Sequence, residues 1–165
     1  MRKAIPLLVL GLGNVLCEDD GVGVAATQAL LRSYRMPDGV DVLDGGTLGL
    51  SLLPYLEEAR EAILVDAVRV AGAAPGDQVR LEGDDVLAIA RERLSVHQIG
   101  VADLLDAARL RGALPERVVL LGVVPEALGL GLQLSDKVQQ ALPELVARLA
   151  HEIRARGYTL RGEAA

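Results

Sequence analysis

Three short, strongly apolar runs constrain the fold of this chain more than any other feature of its sequence. They read AIPLLVL (residues 4–10), EAILVDA (61–67) and RVVLLGVVP (117–125). Runs of this length and composition are typical of strands that are buried on both faces of a sheet. The segments between them have helical periodicity, and strands that alternate with helices favour a mostly parallel sheet. The sequence therefore predicts an α/β fold, a three-layer α/β/α sandwich with helices on both faces of the sheet.

The remaining segments complete this plan. A second strand is predicted at VDVLD (40–44), and QVRLEG (78–83) is predicted as an exposed edge strand after the turn PGD. The last helix is expected to have Ser135 as its N-cap and Gly157 as its C-cap. The sequence favours helices at residues 20–35, 50–59, 84–94, 96–110 and 135–156.

Length and composition limit the domain count and exclude two classes of partner. Without a recognisable repeat or linker, residues 1–165 are expected to form one domain, with a frayed tail at 160–165. The net charge is −6, with no long basic run and no Phe or Trp, so no nucleic-acid partner is expected. No apolar stretch approaches the roughly 18 residues of a membrane span, so membrane insertion is not expected. A single cysteine fits a reducing compartment and predicts a cytoplasmic protein.

The segment GLGNVLCEDDGVG (residues 11–23) follows the first predicted strand and opens the first helix. A glycine-rich turn at this place often binds a phosphate, yet the sixth position of the dinucleotide fingerprint G-x-G-x-x-G is Leu16 here. Glu18, Asp19 and Asp20 occupy the helix N-terminus that would receive the phosphate, and their charges repel an anion. A nucleotide-binding module is therefore disfavoured, and the acids indicate a cation site instead.

Acids follow several of the predicted strands, and the carboxyl ends of parallel strands meet at one crevice. Asp20 follows the first strand, Asp44 ends the second, Asp66 lies near the end of the third, and His97 precedes a helix in SVHQIG. Each residue has a plain structural alternative, and Asp19 or Asp20 in particular would serve as a cap of the first helix. Taken together, carboxylates and one imidazole are suitable ligands for a divalent ion such as nickel or zinc with open coordination positions.

Five segments resemble, in this order, those of the hydrogenase maturation endopeptidases: GLGNVLCEDDGVG, LDGGT, ILVDA, SVHQIG and GVVPE. The resemblance spans about residues 5–150. It implies a phosphorylase/hydrolase-like fold with a five-stranded twisted sheet in which one strand, here QVRLEG, is antiparallel. It also implies a nickel-dependent endopeptidase that removes the C-terminal extension of a [NiFe]-hydrogenase large-subunit precursor after nickel insertion, which completes maturation of that enzyme.

The same resemblance implies the site residues. Asp20, Asp66 and His97 match the family's nickel-binding trio and are also the expected catalytic residues, although some members have glutamate at the position of Asp20. Glu18 and Asp19 compete for the first position, and the GVG that follows Asp20 selects it. The nickel is expected to come with the precursor, and no organic cofactor is implied. Substrate binding is expected from Asn14, Asp44, Gly45, Gly46 and Thr47.

No side chain in the sequence has the setting of a covalent nucleophile. Cys17 lies beside three acids, which disfavour a thiolate, and no serine lies in a G-x-S-x-G elbow. Hydrolysis is then expected to depend on a carboxylate, as in an aspartyl-type endopeptidase, or on a metal-held water. A non-catalytic nickel-sensing or ligand-binding module on the same fold is the alternative. Substrate specificity is expected to lie in surface loops such as 68–76 and 126–134.

Overall fold

Strands and helices alternate along the chain, as its apolar runs predict. A computed structural model describes residues 3–91 and 100–162. In chain order, its strands are β1 (Ile5–Leu12), β2 (Tyr34–Arg35), β3 (Val40–Gly46), β4 (Ala59–Ala67), β5 (Gln78–Glu82), β6 (Arg117–Val123) and β7 (Arg161–Gly162). Its α-helices are α1 (Val22–Ser33), α2 (Leu53–Glu58), α3 (Asp84–Arg91), α4 (Val101–Leu110) and α5 (Asp136–Ala155). Two short 3-10 segments, Glu18–Gly21 and Gly49–Leu52, precede α1 and α2.

Five of these strands form one sheet in the order β3-β1-β4-β6-β5. The pairs β1–β3, β1–β4 and β4–β6 are parallel, and β5 pairs antiparallel with β6 at the edge. This confirms a mostly parallel sheet with QVRLEG as its one antiparallel strand. Because β1, β3 and β4 run in the same direction, their carboxyl ends reach the same edge of the sheet, where the predicted site residues follow them.

Helices cover both faces of this sheet, which confirms the three-layer prediction. The division is visible on β1, because side chains alternate between the two faces of a strand. Leu8 and Leu10 belong to an apolar cluster with residues of α2, α3 and α4. Leu7 and Val9 belong to a second cluster with residues of α1 and α5. Leu, Val, Ile and Ala fill both clusters, as a chain without Phe or Trp requires.

The C-terminal part of the chain contains α5 and a short strand that follows it. Ser135 caps α5 as predicted, its hydroxyl accepting from the backbone N of Val138 at 3.5 Å. At the other end, Arg156 holds the C-cap position, and Gly157 follows it with a φ of +88°. Of the tail 160–165, for which the sequence predicts fraying, residues 163–165 lie outside the description, whereas Leu160 is buried in the cluster of α1 and α5, and β7 pairs with β2.

Two predicted helices fall partly on residues that the structure does not describe. Of the predicted segments 84–94 and 96–110, α3 and α4 account for the described parts, and residues 92–99 lie outside the description. Among the described helices, none combines the length and the apolar character needed to cross a membrane.

Buried ion pairs fasten α5 to the sheet. Glu152 is 7% exposed and accepts hydrogen bonds from Arg80 of β5 and from Arg156, one turn further along the chain (Nη1 to Oε2, 2.8 Å). Arg156 also donates to Glu61 of β4 (Nε to Oε2, 2.7 Å). Burial raises the pKa of Glu152, but the hydrogen bonds from Arg80 and Arg156 outweigh this effect and lower the pKa overall. The ionised carboxylate therefore holds α5 against β4 and β5.

Glu152→Gln is expected to lower the free energy of unfolding by about 2 to 3 kcal/mol, because it removes one of the negative partners of the buried Arg156. The matched control is Glu144→Gln, which breaks the exposed i,i+4 pair Glu144–Arg148 in the same helix. Its cost is expected to be below about 0.5 kcal/mol. Urea unfolding at neutral pH measures both variants, and equal losses would contradict a special role for the buried pair.

The same variant has an expected pH dependence. The pKa of Glu152 lies below its usual 4.5 in the folded protein, so the carboxylate contributes stability above that pH. As the pH falls below 4.5, the unfolded chain takes up the proton first, and the contribution is lost. The stability gap between the parent protein and E152Q should therefore be constant near neutrality and shrink in acid.

Candidate active site

A tight turn joins β1 to α1 and carries the three acids. It bends at Gly13, whose φ of +115° is open to glycine and strained for other residues. A methyl group at Gly13 would lie 1.8 Å from the carbonyl oxygen of Asp20, so the two residues are in direct backbone contact. Asn14 stabilises the turn, since its Oδ1 accepts from the backbone N of Leu16 at 2.9 Å. A glycine and an Asx-type turn thus place the acids at the carboxyl end of β1.

Asp20 and Asp66 reach the same place from two different elements. Asp20 is half-buried, and its Oδ2 accepts from the backbone N of Asn14 at 2.8 Å. Asp66 lies near the end of β4, is 3% exposed, and accepts at Oδ1 from the backbone N of Ala67 at 2.8 Å. The methyl position on Gly13 that contacts Asp20 lies 3.6 Å from Asp66 Oδ1. Gly13 therefore lies between the main chain of Asp20 and the carboxylate of Asp66.

Both carboxylates line a cleft of about 430 Å³ at the carboxyl edge of the sheet. Its walls come from the β1–α1 turn, the loop after β3, the end of β4 and the start of α4. The described residues that line it are Leu12, Gly13, Asn14, Asp20, Gly46, Thr47, Leu48, Gly49, Leu52, Asp66, Gly100, Val101 and Leu104. Two carboxylates beside apolar walls suit a cation and an extended peptide chain at one place.

Most of the residues predicted for the site line this cleft. The structure brings together the five residues Asn14, Asp20, Gly46, Thr47 and Asp66.

Two predicted residues, Asp44 and Gly45, are described but are not among the residues that line the cleft. Asp44 is exposed and is not among the described residues that line the cleft. Gly45 is buried, and a methyl group there would lie 3.0 Å from side-chain carbons of Leu10 and of Leu52. His97 lies outside the described residues.

The surroundings of the histidine segment are described in part. Gly100, three positions after His97, lines the cleft at the start of α4. Its backbone N donates to Asp103 Oδ2 at 2.9 Å, which closes the first turn of that helix. Within residues 3–91 and 100–162, no three or more His, Cys, Asp or Glu side chains are grouped to hold a metal ion.

Asp19 has a different task from the one that the sequence suggests. It was expected to cap α1, but the N-cap of α1 is Gly21, and no side chain caps that helix. The Asp19 carboxylate is fully buried and accepts from the backbone N of Glu126 (2.8 Å), Ala127 (2.9 Å) and Ser135 (2.7 Å), and from the Ser135 hydroxyl (2.8 Å). Burial raises the pKa of Asp19, but these hydrogen bonds outweigh burial and lower it. Asp19 therefore ties the turn to the loop before α5.

Glu18 lies on the same side of the turn as this loop. Its backbone N donates to the carbonyl of Gly131 at 2.9 Å, and its φ is +50°. A methyl group at Gly131 would lie 3.0 Å from Glu18 Cγ, so the Glu18 side chain lies against the glycines of the loop. Of the three consecutive acids, all of which the structure describes, Asp20 alone lines the cleft.

Close packing of α1 against the sheet fixes the position of the β1–α1 turn. A methyl group at Gly23 would lie 2.1 Å from the carbonyl oxygen of Val65 and 2.4 Å from that of Leu12. Both oxygens belong to the backbone at the carboxyl ends of β4 and β1, where there is little freedom to move. Because Val65 directly precedes Asp66, this contact also sets the distance between the two carboxylate-bearing segments.

Comparison with known proteins shows similarity to hydrogenase maturation proteins. A family model for hydrogenase maturation protease matches residues 24–152. The hydrogenase 2 maturation protease of Escherichia coli is 38% identical over 147 residues, which cover 87% of this chain and 90% of that protein. The hydrogenase expression/formation protein HupD of Rhodobacter capsulatus is 40% identical over 153 residues, which cover 92% of this chain and 72% of that protein.

A solved structure extends the similarity to three dimensions. The hydrogenase maturating endopeptidase HybD from Escherichia coli matches with a TM-score of 0.90 and 34% identity, over 96% of this chain and 98% of that one. Fold and relatives together define an endopeptidase, a hydrolase that cuts peptide bonds. More narrowly, the chain belongs to the hydrogenase maturation protease family.

Gly23→Ala tests whether helix propensity or packing has the larger effect on stability where α1 contacts the sheet. Alanine is favoured over glycine inside a helix by about 1 kcal/mol, yet the two backbone oxygens leave no room for its methyl group. We expect a net destabilisation of about 1 to 3 kcal/mol in thermal or urea unfolding. Gln28→Ala, at an exposed position of α1, is the control and should stay within about 0.5 kcal/mol. A G23A variant more stable than the parent would contradict this account.

Proposed function

We propose that this endopeptidase removes the C-terminal extension of a [NiFe]-hydrogenase large-subunit precursor after nickel has been inserted. The observation that carries the proposal is the convergence of Asp20 and Asp66 in one cleft of a hydrogenase maturation protease. By removing the extension, the protein completes the maturation of the hydrogenase and so activates it. The substrate is made inside the cell, and we place the reaction in the cytoplasm.

Asp20, Asp66 and His97 are proposed to bind the nickel of the precursor. The donor set fits this ion, because carboxylate oxygen and imidazole nitrogen are both suitable nickel ligands. Two observations on the described residues support this assignment. Asp20 and Asp66 both line the cleft, and so does Gly100, which is close in sequence to His97. Three protein ligands leave coordination positions open for groups of the precursor, so the nickel is treated as part of the substrate and as the signal that insertion is complete.

Hydrolysis itself is assigned to the carboxylates of this site, as in an aspartyl-type endopeptidase. One carboxylate accepts a proton from a water molecule, and the water oxygen forms a bond to the scissile carbonyl carbon. The carbon–nitrogen bond then breaks, and the departing amine takes up the proton. Asp66, which is 3% exposed, is the more shielded of the two groups, and Asp20 is the more accessible. Binding the nickel and the adjacent peptide in one cleft brings the bond and the base together.

The peptide around the scissile bond is proposed to lie along the loop after β3. Thr47 and Gly46 line the cleft on this side, and Asn14 lines it on the side of the turn. The Gly46 carbonyl accepts from the backbone N of Gly13 at 3.0 Å, so the two walls are joined. Asp44 and Gly45 are proposed to shape this loop, Gly45 because little space remains beside Leu10 and Leu52.

Cleavage of a nickel-loaded large-subunit precursor by the purified protein tests the proposal. Asp20→Asn, Asp66→Asn and His97→Ala are each expected to slow release of the C-terminal peptide by at least about 100-fold. His151→Ala, at an exposed position of α5, is the matched control for His97, and Asp41→Asn, at the opposite end of β3 from the cleft, is the control for the acids. Cleavage that survives all three site substitutions would overturn the site assignment.

The role of nickel requires a separate measurement. Precursor without nickel should not be cleaved under conditions in which the loaded form is processed. Calorimetric titration of the protease alone with Ni²⁺ should show weak binding that Asp20→Asn, Asp66→Asn or His97→Ala abolishes and His151→Ala leaves unchanged. Nickel binding without any precursor cleavage would instead identify a nickel-sensing module, and rapid cleavage of nickel-free precursor would exclude the metal from recognition.

A further inference from the structure

The loop between β6 and α5 is unusually apolar for a surface connection. Residues 127–134 read ALGLGLQL and contain no charged side chain. Leu130 is 90% exposed, Leu132 is 78% exposed and Leu128 is 39% exposed. Single exposed leucines are common on protein surfaces, but a group of them on one loop is typical of an interaction site.

The β1–α1 turn adds a further leucine to this group. Leu16 is 56% exposed. Its carbonyl accepts from the backbone N of Gly131 at 2.9 Å, and Cys17 and Gly131 form a parallel bridge. Leu16 and Leu130 directly precede the two bridged residues on the two paired segments, so they are neighbours across the bridge. We use the name leucine surface for Leu16, Leu128, Leu130 and Leu132.

The leucine surface is held in a fixed position relative to Asp20. The Asp19 carboxylate binds the loop at both of its ends, at Ala127 (2.9 Å) and at Ser135 (2.7 Å). Asp19 is fully buried and directly precedes Asp20, which lines the cleft. An exposed apolar loop that is anchored in this way loses less conformational freedom on binding a partner than an unanchored loop does, which favours binding.

We propose that the leucine surface binds an uncharged, apolar segment of the hydrogenase precursor that flanks the scissile bond. This inference rests on the proposed function, because it extends the same substrate beyond the cleft. An endopeptidase binds residues of its protein substrate on either side of the bond that it cuts. The leucine surface is continuous with the turn that carries Asn14 and Asp20. A second copy of this chain is a poorer occupant, since it would cover that turn and obstruct the cleft.

The double substitution Leu130→Ser/Leu132→Ser tests the proposal. Both side chains are mostly exposed, so the fold should be unaffected. With nickel-loaded precursor, KM is expected to rise about tenfold or more while kcat stays within about twofold. The reason is that the lost contacts stabilise the bound precursor and the transition state equally. The matched control is Leu110→Ser, which removes another leucine of 90% exposure, at the far end of α4 from the cleft. Its KM and kcat should equal those of the parent protein.

Binding measured without cleavage separates this inference from the proposed function. Biosensor affinity for the precursor should fall about tenfold in the double variant and not in L110S, whereas calorimetric Ni²⁺ binding by the protease should be equal in all three proteins. If the parent protein binds the precursor without cutting it, the proposed function fails while the leucine surface is still tested by this loss of affinity. Unchanged KM and unchanged affinity in the double variant would overturn the inference. A dimer that the double substitution dissociates would also overturn it and would identify a second copy as the occupant.

Discussion

The buried carboxylate of Asp19 is the interaction on which the arrangement of the site depends. Removing an ionised carboxylate from water costs several kcal/mol unless hydrogen bonds replace the lost solvation. Here four donors from Glu126, Ala127 and Ser135 replace it, and they come from a segment more than 100 residues further along the chain. The turn after β1 and the loop before α5 are therefore fixed to each other. The two helices that cover one face of the sheet, α1 and α5, both begin close to this junction.

Adjacent residues of this turn have opposite environments and different tasks. Asp19 points into the protein and is saturated with hydrogen bonds, whereas Asp20 lines the cleft and accepts from Asn14. Glu18 lies against Gly131 on the side of the loop. The 3-10 geometry of this segment turns successive side chains in different directions, so three acids that look alike in sequence have three different environments. The proposed metal and substrate contacts follow from this division.

Most of the fold was predictable from the sequence because its signals are local. Apolar runs without polar alternation predict buried parallel strands, and the polar segment QVRLEG predicts an edge strand, which is β5. That β5 is antiparallel was implied by the family resemblance and is confirmed. Ser135 before α5 is a local capping signal and is confirmed. The burial of Leu160 was not predictable in this way, since Leu160 belongs to a cluster with distant residues of α1 and α5. Asp44 lies within β3 and is exposed, and it is not among the described residues that line the cleft.

The sequence by itself determined the class of fold, the edge of the sheet where polar residues gather, and the family to which the chain belongs. Strand burial, turn glycines and capping residues are recognised from short stretches of sequence. The five motifs are recognised from their residues and from their order along the chain. Only the tertiary structure decided that Asp20 lines the cleft while Asp19 anchors a loop, and that Leu16 adjoins Leu130. The anchoring by Asp19 and the pairing of Leu16 with Leu130 depend on hydrogen bonds between segments more than 100 residues apart, and no local pattern records which of several similar side chains will meet a distant partner.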